Sequence, residues 1–131
     1  MFRLVEGIFY RAVDPRYAAR SLAGSVREGR YSSRDQPTLY LSASPDGVAA
    51  ALVAHAGNRA AGLDLVKVAV SAPRIFDLRD ETARARAGIR LEDATAPWQE
   101  IAARGQRPTS WDVRDRLVDL GAQGLIDPSR K

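Results

Sequence analysis

In GIFYRAV, residues 7–13, one arginine stands among apolar neighbours: strand alternation puts Arg11 on a face with Phe9 and Val13, while Ile8, Tyr10 and Ala12 take the other. A guanidinium in such a place is unfavourable unless it is paired or opens on a cleft, so Arg11 is half of a structural ion pair or a ligand contact. Further along, PTLYLSA alternates cleanly, with Thr38, Tyr40 and Ser42 opposite Leu39, Leu41 and Ala43. Tyr40 and Ser42 thus form a pocket wall or a solvated strand face. His55, the only histidine, is a candidate general base or an ordinary residue at the end of an apolar helix. Ser110 is a helix cap or a ligand contact. The chain contains no G-x-S-x-G, no G-x-x-x-x-G-K-[ST] and no G-x-G-x-x-G after a strand, so the commonest hydrolase, phosphate-loop and dinucleotide signatures are missing.

Composition narrows the chemistry further. With no cysteine and one histidine, disulfides, thiolate metal sites and histidine-cluster metal sites are excluded, and metal-free chemistry or a diffusible cofactor is expected. The net charge of +4 is almost entirely arginine, since Lys67 and Lys131 are the only lysines. Arginine forks suit phosphate and carboxylate. The positive charges are interleaved with Asp and Glu along the chain, which argues against a nucleic-acid binder with its concentrated basic footprint. The first residues, MFRLVEGIFYRAV, are interrupted by Arg3, Glu6 and Arg11 and lack the apolar run of a signal peptide; no run approaches membrane-spanning length, and a cytoplasmic location is expected.

These residues need a scaffold, and 131 residues with 45 % hydrophobic and 27 % charged content make one compact domain. Asp14 and Pro15 open a short helix through Leu22. Ser44 caps a helix from Pro45 to about Ala56 that is apolar all round and is therefore expected to be buried. Strands are expected over residues 63–70 and, after Pro73, 74–78. Helices follow over residues 80–87 and 94–103, with Trp98 as packing anchor, then over 110–120, with Val113, Leu117 and Leu120 on one face and Gly121 as the stop. A last short strand covers residues 124–127. The fold class is a mixed α+β domain with a small sheet and flanking helices.

Taken in order, the motifs resemble the RES domain, the toxin half of bacterial toxin-antitoxin pairs. They are Tyr10-Arg11, the Gly29-Arg30-Tyr31 loop, Tyr40 with Ser42, the helix ending in His55, then Val68, Val70, Ile75, Asp77 and Leu78, the Ser110-Trp111 helix start, and the ending Gly124, Leu125, Ile126, Pro128, Ser129. The resemblance covers nearly the whole chain. It implies a fold similar to ADP-ribosyltransferases, a cleft for NAD as substrate, cleavage of the N-glycosidic bond, and an antitoxin partner with a helix-turn-helix domain. The family arginine maps onto Arg11 and the serine onto Ser110, with Ser129 as a second choice. Tyr40 joins Arg11 and Ser110 as catalytic candidates, and Arg11, Arg30, Tyr31, Tyr40, Ser42 and Ser129 are the expected NAD contacts. The family glutamate falls on Ala51, so the alternative is an inactive module that binds a nucleotide or a protein partner. RES domains usually continue beyond P-S, so a missing C-terminal strand is also expected.

Overall fold

The computed structural model describes residues 1–20, 22–25, 27–55 and 62–128. Two long strands form its spine: β1 (Arg3–Val13) and β2 (Asp64–Asp77) pair antiparallel, from Arg3 opposite Ile75 to Val13 opposite Asp64. The short β3 (Gly124–Ile126) adds in parallel to the end of β2, giving a mixed sheet in the order β1-β2-β3. Around it stand α1 (Pro45–His55), α2 (Glu81–Ala87), α3 (Leu91–Ala94), α4 (Trp98–Ala103) and α5 (Thr109–Asp119). The chain is an α+β domain, as expected.

Several local expectations are corrected. The two strands expected on either side of Pro73 are one continuous β2. Between the pairs Val5–Ala72 and Arg3–Ile75, Pro73 and Arg74 stand opposite Leu4 alone, a bulge in the ladder. A bulge is where a residue without an N–H interrupts least. The first helix is a 3-10 segment, Pro15–Arg20, with Tyr17 outside helical dihedrals. The helix expected over 94–103 begins only at Trp98, as α4, with Pro97 at its cap position where a missing N–H is tolerated, and Ala94 instead ends the separate α3. Residues 38–43 form no strand: they meet the sheet at one bridge, Ser42 with Tyr10, through hydrogen bonds of 2.8 Å in both directions. Their other bonds go to loops and to α5: the Thr38 carbonyl accepts from the Ser25 N–H at 3.0 Å, its hydroxyl accepts from Arg114 Nη1 at 3.0 Å, and the Tyr40 hydroxyl binds the turn at Tyr31 and Ser32.

The cap of α1 is as expected, with Ser44 Oγ accepting from the Gly47 N–H at 3.0 Å. The helix is not enclosed, however: Val48 is buried while Ala49 and Ala50 are exposed. Alanine methyl groups give little reason to bury a face. Ala56 lies outside the described residues. At the other end, Gly121 does stop α5: its φ of 94° is left-handed, and the Ala122 N–H turns back to the Leu117 carbonyl at 2.9 Å.

The core lies between the end of β2 and the C-terminal helices. Phe76, Leu78, Ala83, Ala87, Ile89, Ala94, Val113 and Leu117 pack together, with Tyr31 reaching in from the N-terminal half. Phe2 closes it edge-on to Phe76, ring centroids 6.4 Å apart. Trp98 is only half-buried, and Trp111, 7 % exposed, takes the anchoring role expected of it.

Beside this core, Asp77 accepts from Arg3 Nη1 at 3.0 Å and from Arg79 Nε and Nη2 at 2.8 and 2.9 Å. Chiefly through its hydrogen bond from Arg79, its pKa falls from 3.8 to about 2. A carboxylate depressed in the folded state stabilises the fold above its unfolded pKa, and this is lost as pH falls through the folded value. Asp77→Asn is therefore expected to lower the urea midpoint at pH 7, by an amount that shrinks between about pH 4 and pH 2. A deficit independent of pH would assign the loss to packing instead.

Candidate functional site

Four of the expected site residues, Arg30, Tyr31, Tyr40 and Ser110, meet at one turn, Gly29 to Ser32, closed by a Gly29–Ser32 bridge. Its three successive carbonyls are all held from α5: Trp111 Nε1 donates to Gly29 at 2.8 Å, Ser110 Oγ donates to Arg30, and Arg114 Nη1 donates to Tyr31 at 3.2 Å. From the other side the Tyr40 hydroxyl accepts the Tyr31 N–H at 3.1 Å and shares a hydrogen bond of 2.7 Å with Ser32 Oγ. Arg30 Nη1 donates to the Ala96 carbonyl at 2.7 Å and reaches that of Ala94 at 3.4 Å. The turn is thus tied to the loop ahead of α4, to α5 and to Tyr40.

Gly29 is required there by space. A Cβ on Gly29 would lie 2.5 Å from the Tyr40 hydroxyl oxygen. Gly29→Ala is expected to destabilise the fold by about 1–3 kcal/mol, the range for overpacking a well-filled site. Urea unfolding measures it, and a change below the error of the midpoint would mean that Tyr40 swings away freely.

Two expected contacts prove to be structural. Ser110 lies inside the first turn of α5, with Pro108 at the cap position, and it is fully buried with its hydroxyl bound to Arg30. Its hydroxyl is spent on the Arg30 carbonyl and not on capping the helix, so it positions Arg30. Tyr31 is 4 % exposed and donates its hydroxyl to Asp127 Oδ1 at 2.7 Å. Burial, and then the bond to Asp127, push its pKa well above the usual tyrosine range. It therefore belongs to the core and not to a pocket wall.

The remaining candidates lie at β1. Arg11 stands on the face of Phe9 and Val13 and pairs with Val66, while Val13 and Val68 on this face are buried. Its guanidinium lies 3.4 Å from the Ala23 carbonyl, and burial lowers its pKa. Ser42 pairs with Tyr10, and cross-strand partners share a face, so Ser42 and Arg11 point to opposite sides of β1. Tyr40 keeps 40 % of its surface exposed although its hydroxyl is committed. The wall that alternation suggested is thus divided: Tyr40 joins Arg30 at the turn, Ser42 joins Tyr10, and Arg11 stands behind them. Ala51 and His55 belong to α1, but their side chains lie outside the described ones, and Ser129 lies outside the described residues.

Asp127, Ser32 and Arg114 were missed by sequence reasoning. Asp127 occupies the variable place of the G-L-I-x-P-S ending, where a motif draws no attention. Ser32 and Arg114 form bonds across 8 and 83 positions, with Tyr40 and the Tyr31 carbonyl, which no periodicity reports.

The fold and the turn define a small α+β domain whose arginine-bearing loop is clamped by its last helix. The family model of the RES domain matches residues 8–131, and the chain belongs to the RES domain family. The family is linked to toxin-antitoxin systems and is commonly associated with NAD. No curated protein and no solved structure matches it. Among the described residues no helix is long and apolar enough to cross a membrane.

Proposed function

We propose that this chain is a toxin that binds NAD and breaks the bond between nicotinamide and ribose, and that an antitoxin with a helix-turn-helix domain neutralises it by covering the cleft. The observation that carries this reading is Arg11, the residue matching the family arginine, held half-buried on the apolar face of β1. A desolvated guanidinium binds a diphosphate bidentately and more strongly than an exposed one. Tyr40 offers an exposed ring for stacking on nicotinamide or adenine. Ser110 acts at one remove, by fixing the carbonyl of Arg30.

In the reaction, a nucleophile oxygen from water, phosphate or a protein forms a bond to C1′ of the ribose. The C1′–N bond breaks, and its electron pair neutralises the pyridinium as nicotinamide departs. Positive charge builds on the sugar in between, which a carboxylate nearby would stabilise. Incubating the purified protein with NAD and following free nicotinamide tests the proposal, release being expected. None from folded protein at high concentration sinks the enzymatic part.

Ala51 favours one second reading, a module that binds NAD without turning it over. That module would show NAD-dependent thermal stabilisation with no nicotinamide released.

A further inference from the structure

A groove of about 740 Å³ opens beside the clamped turn, and none of the residues proposed to hold NAD lines it. Its walls come from both flanks of the turn, Arg27 and Glu28 before it and Arg34 after it, and from α4 through Trp98, Gln99 and Ala102. The bonds from Arg30 to the Ala94 and Ala96 carbonyls fasten the turn just ahead of Trp98, which sets the walls relative to one another. Arg30 is thereby turned to the backbone, whereas Arg27 and Arg34 are exposed and are in no ion pair or hydrogen bond among the described residues.

The volume is that of a small-molecule site, within the usual few hundred to one thousand Å³. Its chemistry asks for two things at once. The half-buried indole of Trp98 is a platform for a planar ring, and two uncommitted guanidinium groups are forks for an anion. Glu28 adds an acceptor suited to a ribose diol or an exocyclic amine. We infer that this groove binds a free nucleotide, its base stacked on Trp98, its phosphates on Arg27 and Arg34 and its ribose toward Glu28. A single-stranded nucleic acid fits less well, because a strand needs a continued basic track and here two arginines share the wall with a carboxylate. The inference does not depend on NAD cleavage.

ADP is the probe, followed by calorimetry and by tryptophan fluorescence. The buried Trp111 contributes a constant background, so quenching reports Trp98. ADP is expected to bind more tightly than either adenosine or pyrophosphate, each of which satisfies only part of the groove. Replacing the two exposed arginines together, Arg27→Ala with Arg34→Ala, is expected to weaken ADP roughly 10- to 100-fold, the usual loss of hydrogen bonds to charged groups. Trp98→Ala is expected to weaken it about tenfold or more, as for lost base stacking. Arg11→Ala should bind ADP at the groove as before, and the double arginine variant should release nicotinamide at the wild-type rate.

No ADP binding, or binding unchanged in the double arginine variant, overturns the inference. So does binding lost in Arg11→Ala alone, which would put ADP in the cleft proposed for NAD. A single-stranded oligonucleotide that displaces ADP with a salt dependence of many phosphates would also overturn it. Failure of nicotinamide release with ADP binding intact removes the proposed catalysis and leaves the groove standing.

Discussion

Ala51→Glu is expected to raise the rate of nicotinamide release by about 10²- to 10⁴-fold, the usual contribution of a positioned acid-base group. The position is well prepared to carry one. Helix α1 begins three residues after Ser42 of the bridge to Tyr10, is capped by Ser44 and packs on β1. Position 51 comes three residues after Val48, which is buried, and helical spacing of three returns to the same face of the helix. Nicotinamide is measured by chromatography at saturating NAD, so that the comparison reads the chemical step. A variant that folds normally and is no faster would mean that the carboxylate belongs elsewhere, and Asp127 beside Tyr31 would be the next position to change.

Arg11→Met is expected to abolish both NAD-dependent thermal stabilisation and nicotinamide release, with a loss of at least about 10²-fold. Methionine keeps the length of the side chain and suits the apolar face of Phe9, Val13 and Val68. Exchanging a buried charge for an apolar residue is often neutral or stabilising, so the variant should melt no lower than the parent. Arg11→Lys should not restore binding, because an ammonium lacks the planar fork that grips a diphosphate. If Arg11→Met instead melts several degrees lower and still responds to NAD, the arginine serves the fold and the proposed site must be moved.

Much of the fold was legible because helices and strands leave local marks. Capping by Ser44, the stop at Gly121 and the face of Val113 and Leu117 are all read within a few residues. What escaped depends on partners distant in sequence. Residues 38–43 alternate as a strand does, but the Tyr40 hydroxyl is drawn to the turn at Ser32 and only Ser42 reaches β1. Pro73 marked the end of a strand by composition, and the ladder absorbed it in a bulge.

The candidate site divides in the same way. Arg11 was visible as a charge out of place on its strand. Ser110 was visible too, but its role was not, since a serine at a helix start looks the same whether it caps, meets a ligand or holds a carbonyl 80 residues away.

The pairing of β1 with β2 also has a consequence for how the chain is made. Residues 3–13 find their strand partners in residues 64–77, and among the described residues that come between, the bridge at Ser42 is the only ladder contact with β1. On the ribosome, β1 therefore waits unpaired until about half of the chain has emerged. The clamp on Gly29 waits longer still, for α5 near the end. Contacts this remote in sequence belong to slow folders. Synthesis thus leaves an interval in which the chain exists without a formed clamp, and the turn that carries Arg30 is set only when the last helix arrives.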